Sequence, residues 1–198
     1  MKGPLQPLFD ALTATQAAWI EAVCVTERDA FLLAFASAAR AVGKAPLAVA
    51  DRGTWGADEI ARTILAVRAA SLNLVGELYA QGDNGERQAI LRALSLLPDA
   101  EAYLTIAIDA CRMSVQPVFE AIACENPYPA KFFPELHFNQ MVLKAVFTGV
   151  SLARIEGLGP RVTPELARMA AAYASERRAA GRAVPTDLGL LHPESALP

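Results

Sequence analysis

The sequence predicts an all-α protein of stacked antiparallel helical hairpins, arranged as a HEAT-like α-solenoid or as a compact helical bundle, with an extended C-terminal tail. Nearly every segment repeats its apolar residues with the 3.6-residue period of an α-helix. The breaks between these segments are a few residues long and hold Gly, Pro, Asp or Asn. Runs that alternate between apolar and polar residues, which are typical of strands, are nearly absent. We therefore expect one helical domain over residues 1–198.

The N-terminal part of that domain, residues 1–80, predicts three helices and one connector. The predicted helices cover residues 5–23, 26–43 and 57–79. Thr26 is a suitable N-cap for the second helix, and Gly43 is a suitable C-terminal stop. The connector between the second and third helices contains one proline and two glycines, and we expect it to pack Trp55 in apolar surroundings.

The middle part, residues 81–182, predicts five helices. They begin near Glu86, Ala100, Pro117, Glu135 and Pro164. Asp83 or Asn84 caps the first of them, and Thr163 precedes the proline that opens the last. Residues 86–112 resemble a HEAT-type repeat, because two short helices follow each other across a proline turn. Residues 183–198 have prolines and no helical period, so they predict the extended tail.

Composition excludes several classes of protein. The longest stretches without a charged residue, 11–20 and 30–39, are ten residues each, about half of what a membrane span needs. The N-terminus lacks the apolar core of a secretory signal, so we expect a cytoplasmic protein. A formal net charge of −3 with scattered basic residues predicts no nucleic-acid partner. The three cysteines lack a CxxC spacing and predict reduced core thiols.

Recognisable catalytic patterns are missing from the sequence. The two histidines, His137 and His192, are far apart, and Glu135 lies two positions from the first, which excludes the Glu-x-x-His arrangement of di-iron bundles. The glycines form no dinucleotide or phosphate loop. We expect no metal and no cofactor. Asp109 and Arg112 predict a surface ion pair at i, i+3, with a catalytic role as the alternative.

The segment 125–149, ENPYPAKFFPELHFNQMVLKAVFTG, differs from the rest of the chain in its prolines and aromatic residues. Proline disfavours helical geometry at the residue before it, here Asn126, Tyr128 and Phe133. Residues 125–134 therefore predict a stiff, non-helical connector. The helical period resumes at Glu135, and apolar residues cover most of the circumference of the helix that follows, so we expect this helix to be central.

Polar residues of that helix fall at two places around its axis. His137, Gln140, Lys144 and Thr148 share one narrow side, whereas Asn139 falls among apolar residues. A buried amide without a partner costs about 1–3 kcal/mol, so we expect Asn139 to bond the connector carbonyls.

Two interpretations remain open for this region. In the first, Asn139 fixes the connector and Lys144 extends its charge to solvent from a crowded helix. In the second, the polar side and the aromatic connector border a ligand or partner site. The candidate binding residues are Asn126, Tyr128, Asn139, Gln140, Lys144, Arg112 and His137.

Four short motifs within residues 109–149 resemble the EboA family, whose members are called metabolite traffic proteins. The motifs are Cys111-Arg112, Pro117-Val118-Phe119-Glu120-Ala121, Asn126-Pro127-Tyr128-Pro129 and Asn139-Gln140-Met141-Val142-Leu143-Lys144. The resemblance continues more weakly through residues 152–182. It implies a small cytosolic helical protein encoded beside a UbiA-like membrane prenyltransferase and TIM-barrel proteins, in a set that moves secondary-metabolite precursors toward the periplasm. It implies no catalytic residues.

We therefore expect a non-catalytic binding or adaptor protein that acts in secondary-metabolite traffic. Its expected partners are other proteins of the same gene cluster, among them the membrane prenyltransferase-like protein, and a small apolar or aromatic metabolite. One alternative is a small enzyme that acts on the metabolite with Lys144, Arg112 or His137 as its polar group. The other alternative is a purely structural helical module.

Overall fold

The computed structural model describes residues 3–191 of the chain, with the side chain of Leu72 excluded. This range contains eleven α-helices, six short 3-10 helices and one β-hairpin. The all-α class predicted from the sequence is confirmed. HEAT-like stacking stays a prediction. His192 and the other residues of the segment 192–198 lie outside the described residues.

The described residues form two compact units, and the first unit ends at Ile122. The α-helices are α1 (Gln6–Asp10), α2 (Ala14–Ala22), α3 (Arg28–Val42), α4 (Ala57–Arg68), α5 (Val75–Gln81), α6 (Asn84–Ala93), α7 (Leu104–Arg112), α8 (Gln116–Ala123), α9 (Tyr128–Phe132), α10 (Glu135–Thr148) and α11 (Pro164–Ala179). The strands are β1 (Pro46–Val49) and β2 (Gly53–Gly56). The 3-10 helices are Ala70–Leu72, Leu94–Leu96, Ala100–Tyr103, Leu152–Arg154, Gly159–Arg161 and Thr186–Leu191. That residues 1–198 form a single domain stays a prediction.

Two long helices predicted for the first unit are each divided in the structure. The predicted helix 5–23 ends at Asp10 and begins again at Ala14, because Thr13 accepts a hydrogen bond from Gln16 N and forms a capping box with it. The predicted helix 57–79 is interrupted at Asn73, whose φ of 51° lies in the left-handed region. Local capping and turn chemistry thus interrupted a continuous apolar period.

The connector predicted between the second and third helices is the antiparallel hairpin of β1 and β2. Leu47 pairs with Trp55 across the two strands, and Trp55 is 2% exposed, as its expected apolar surroundings require. The predicted N-cap Thr26 is wrong, because Glu27 occupies the N-cap position of α3 and makes no side-chain capping bond. The predicted stop at Gly43 is confirmed by its φ of 77°.

The core of the first unit forms where α4 packs against α3 and α6. Ile60, Ile64 and Leu65 of α4 are fully buried, and each stabilises the fold by about 1.5–3 kcal/mol relative to an exposed side chain. The charged Arg62 is also buried, and its Nε donates to Phe35 O at 3.0 Å. The buried charge of Arg62 is therefore held by a specific hydrogen-bond partner.

The three free cysteines do not all lie in the core, which corrects the prediction from composition. Cys124 is buried, Cys111 is half-buried and Cys24 is exposed. A hydrogen bond with Thr26, at 3.4 Å between Sγ and Oγ1, lowers the pKa of the Cys24 thiol.

The second unit begins at Ala123 and contains the proline-rich connector, α10 and α11. The connector is not free of helix, because Tyr128 opens the five-residue helix α9. Proline is tolerated in a first helical turn, where the missing N–H would have no intrahelical acceptor. Asn126 and Phe133 remain outside the helix, as predicted. The predicted start of α10 at Glu135 is confirmed.

The two ends of α11 differ in how well they follow the prediction. Thr163 caps the helix by accepting from Leu166 N at 3.2 Å, as predicted. The residues after the helix were expected to be extended, but Thr186–Leu191 form a 3-10 helix. Leu188 and Leu191 are buried, and Asp187 Oδ2 accepts from Leu152 N at 2.8 Å. Apolar burial and this bond order a segment that has no helical period.

Candidate functional site

The connector is held from both ends by two arginines that follow it in the chain. Arg154 donates to both carboxylate oxygens of Glu125, at 2.8 and 3.0 Å. Arg161 donates to Ala130 O at 2.6 Å and to Phe133 O at 2.7 Å. Charge-assisted bonds of this kind are stronger than neutral ones, and the planar guanidinium fixes their direction. The connector is therefore a rigid support for the start of α10.

The aromatic residues of the connector face the interior. Tyr128 is fully buried, with its ring centroid 4.8 Å from that of Phe132 and 6.3 Å from that of Phe133. Asn126 is 3% exposed, and its Oδ1 accepts from Tyr128 N at 3.0 Å to begin α9. Asn126 and Tyr128 thus stabilise the connector from its buried side. Neither presents its side chain to solvent.

Asn139 is 4% exposed, and its Oδ1 has no hydrogen-bond donor among the described residues. The donors that reach the connector carbonyls Ala130 O and Phe133 O belong to Arg161, not to Asn139 as the sequence suggested. A buried, unpaired amide oxygen costs about 1–3 kcal/mol. Such a group needs a specific explanation, and a ligand that supplies the missing partner is one.

A groove between α10 and α11 lies beside this amide. One cavity of the groove has a volume of about 360 Å³ and is lined by Glu135, Leu136, Asn139, Gln140, Glu165 and Met169. Leu136 is 63% exposed, whereas Asn139, one turn further along the helix, is buried. The volume falls at the lower end of the range of about 300–1,000 Å³ that is usual for small-molecule pockets. The cavity therefore combines apolar walls and a rigid frame with the amide of Asn139, whose unpaired oxygen is itself buried.

The edge of this cavity carries negative charge. Glu135 is exposed and stands in the first turn of α10. Glu165 accepts from Arg168 at 2.7 and 2.8 Å, and this hydrogen bonding holds the pKa of Glu165 below its usual value. Both carboxylates disfavour an anion at this end of the groove.

Of the other candidate residues of α10, one lines the cavity and two lie near it. Gln140 is exposed and lines the cavity, and His137 Nδ1 lies 3.4 Å from Gln140 Oε1. Lys144 is half-buried, and its carbonyl oxygen accepts from Thr148 Oγ1 at 2.8 Å. The structure thus places His137, Gln140 and Lys144 on a polar side of α10 that adjoins the groove.

Arg112 belongs to the first unit, at the end of α7. It forms the predicted surface pair with Asp109 at 3.1 Å, and the two side chains are 65% and 57% exposed. A pair that is this exposed contributes about 0–1 kcal/mol.

Sequence reasoning missed Arg161, Glu165 and Met169 as residues of the site. Their distance from α10 in the chain hides the contact, and the sequence offers only a partial signal. Glu165 directly follows the proline that opens the last predicted helix, and Arg161 lies within residues 152–182, where the resemblance to the family is weaker. Residues 3–191 hold no group of three or more His, Cys, Asp or Glu placed to bind a metal, and none of the helices in this range is long and apolar enough to cross a bilayer.

Residues 8–191 match the sequence model of the family described as "Metabolite traffic protein EboA". No curated protein and no solved structure matches the chain.

Proposed function

Since the chain belongs to the EboA family of metabolite traffic proteins, we propose that it is a non-catalytic binding protein that holds a small apolar metabolite in the groove between α10 and α11. The observation that carries this proposal is the buried Asn139 Oδ1, which has no donor among residues 3–191 and stands beside an apolar cavity. An amide does not titrate, and the neighbouring Glu165 is occupied by Arg168. These groups suit recognition better than proton transfer.

We further propose that the bound metabolite is a secondary-metabolite precursor and that the protein takes part in its traffic toward the periplasm. In this proposal the protein acts in the cytoplasm, with partner proteins from the same gene cluster, among them the membrane prenyltransferase-like protein. The single-domain organisation over residues 1–198 is part of the same proposal. The resemblance of the motifs around Asn126 and Asn139 to the family supports it.

Binding of an apolar fluorescent probe tests the groove directly. N-phenylnaphthylamine, a neutral dye that brightens in apolar sites, is titrated into the full chain and two variants. Leu136→Lys places a charge on the wall of the cavity, whereas Leu33→Lys makes the same change at a leucine of the first unit that is 70% exposed. Loss of one leucine contact is worth about 1.5 kcal/mol, so we expect about tenfold weaker binding for Leu136→Lys only. Equal affinity of the two variants would contradict the proposal.

An adaptor role is a second candidate, and the exposed side of α10 favours it. Leu136 and Phe147 are 63% and 62% exposed, and exposed apolar groups on one helix are typical of partner surfaces. Co-purification with proteins of the gene cluster tests this role. We expect Lys144→Glu to lose a partner that Lys131→Glu retains, because Lys131 is an exposed lysine on a different helix, α9. Retention of the partner by both variants would exclude the polar side of α10 from the contact.

A further inference from the structure

A second cavity lies between the same two helices, near their C-terminal ends. It has a volume of about 380 Å³ and is lined by Phe147, Tyr173, Glu176, Arg177, Ala180 and Arg182. The first cavity involves the first turns of α10 and α11, so the two helices run in the same direction and the two cavities lie one after the other along them. Asn139 and Phe147 are eight residues apart, a rise of about 12 Å along α10. Met169 and Tyr173 are one turn apart on α11.

Arg177 is positioned in the second cavity by contacts that leave its outer nitrogens available. Its Nε donates to Ala183 O at 2.9 Å, and its guanidinium lies 5.8 Å from the centroid of the Tyr173 ring. Among the residues the structure describes, none accepts a hydrogen bond from Nη1 or Nη2 of Arg177. A guanidinium held by its Nε and by a ring, with two outer donors in one plane, matches the two oxygens of a carboxylate.

Aromatic rings form the wall next to this guanidinium. The Phe147 ring meets the Tyr173 ring edge to face, with 4.9 Å between the centroids, and Phe147 stays 62% exposed. A packed but exposed aromatic pair offers apolar surface to a chain that runs past it. Arg182 adds a second positive charge, so the arginines outnumber the single acid of the cavity, Glu176. The charge at this end is therefore opposite to that at the Asn139 end.

We infer that the groove takes an elongated, two-ended ligand: a flexible apolar chain with a hydroxyl group at Asn139 and a carboxylate at Arg177. The inference rests on the proposed function and specifies the class of metabolite. A hydroxyl fits the Asn139 end because it both donates and accepts, whichever way the amide is turned. Glu135 and Glu165 exclude the carboxylate from that end, so charge sets the direction in which the ligand lies.

Three matched ligands test each end separately. They are ω-hydroxydecanoate, decanoate without the hydroxyl, and the decanediol with two terminal hydroxyls, each titrated below its aggregation limit by calorimetry. We expect the hydroxy acid to bind best. Arg177→Met should weaken the binding of both acids about tenfold or more, because it removes a charge-assisted bond to the carboxylate, and should weaken the diol less, because a neutral hydroxyl accepts only a single bond from the guanidinium. Arg177→Lys should lose part of the affinity for the two acids, because an ammonium lacks the planar pair of donors.

Two variants act as controls for charge and for the amide. Arg178→Met removes the same charge from an exposed neighbour that does not line the second cavity, and we expect it to leave all three affinities unchanged. Asn139→Leu should remove the advantage of the hydroxy acid over decanoate and leave the effect of Arg177→Met intact. Circular dichroism and thermal melts confirm that each variant is folded before its affinities are compared.

The outcomes separate the inference from the proposed function. If the diol and the acids bind equally and Arg177→Met changes none of them, the two-ended ligand is refuted, while binding of N-phenylnaphthylamine at the Asn139 end still supports the proposed function. If neither the dye nor any of the three ligands binds the folded protein, both are refuted. Equal losses with Arg177→Met and Arg178→Met would show a general charge effect and would also overturn the inference.

Discussion

Replacement of Arg161 by methionine is the sharpest test of how the groove is built. Methionine keeps much of the length and apolar character of the arginine side chain but removes the guanidinium. In the native protein that guanidinium donates to Ala130 O at 2.6 Å and to Phe133 O at 2.7 Å. It also lies 4.4 Å from the centroid of the Phe138 ring. The change therefore removes the link between the connector and α10 without deleting apolar core atoms.

The size of the effect follows from these contacts. A hydrogen bond with a charged donor contributes about 1.5–3 kcal/mol, and a cation–π contact contributes about 0.5–2 kcal/mol. The contacts share one group, so their energies do not simply add. Arg161 is half-buried, which reduces the value of each contact through solvent screening. We expect Arg161→Met to lower the free energy of unfolding of the second unit by about 2–4 kcal/mol.

Urea unfolding monitored at a site in the second unit measures this loss. Arg168→Met is the matched control, because Arg168 is 69% exposed and pairs with Glu165 at i, i+3. An exposed pair of this kind contributes about 0–1 kcal/mol. Arg161→Lys should recover less than half of the loss, since one ammonium replaces the planar fork. If Arg161→Met costs no more than Arg168→Met, the connector is held by something other than the guanidinium and the reasoning fails.

Three further predictions concern single side chains. Asn126→Ala should lower the free energy of unfolding by about 0.5–2 kcal/mol, because it removes the acceptor that begins α9; an unchanged urea midpoint would contradict this role. Glu165 has a depressed pKa in the folded state, so its pairing stabilises the protein above the ordinary pKa of glutamate, and this stabilisation is lost as the pH falls through the depressed value. Arg168→Met should bring the Glu165 pKa back toward its usual value, as measured by NMR titration of the carboxyl carbon. The exposed Cys24 should react with iodoacetamide before the buried Cys124, as measured by peptide mass spectrometry. Equal rates of labelling would contradict this difference in exposure.

The sequence predicted the parts of the fold that local chemistry determines. Thr163 lies directly before a helical proline, and the structure confirms it as the N-cap of α11. Glu135 was placed at the start of α10 because the apolar period resumes there, and this is also confirmed. Tyr128 was placed outside a helix by the rule for residues before proline. The five-residue helix α9 overrides that rule, because Asn126 supplies an acceptor and the prolines fall where no donor is needed.

The candidate site was harder to predict because its second wall is distant in the chain. The position of Asn139 among apolar residues revealed that its amide would be buried, and it is 4% exposed. Helical periodicity could not reveal which group would bond the connector carbonyls. That group is Arg161, which follows Asn139 by 22 positions and reaches the connector only after α10 has ended. Contacts that depend on how two distant segments cross are not encoded in any local pattern.

The exposed side of α10 supports the proposal that the groove takes an occupant. Leu136 and Phe147 are eleven residues apart, which at 100° per residue is about 20° beyond three full turns, so they project from the same side. Both are more than 60% exposed, whereas Leu143 between them is 7% exposed. A single exposed leucine is ordinary on a protein surface, but two large apolar groups flanking a buried, unpaired amide on one helix are not. Burying about 100 Å² of this apolar surface beneath a ligand would contribute about 2.5 kcal/mol. That gain is comparable with the about 1–3 kcal/mol that the unpaired Asn139 Oδ1 costs. A ligand that covers Leu136 and Phe147 and donates to the amide would remove both the apolar exposure and the unpaired oxygen.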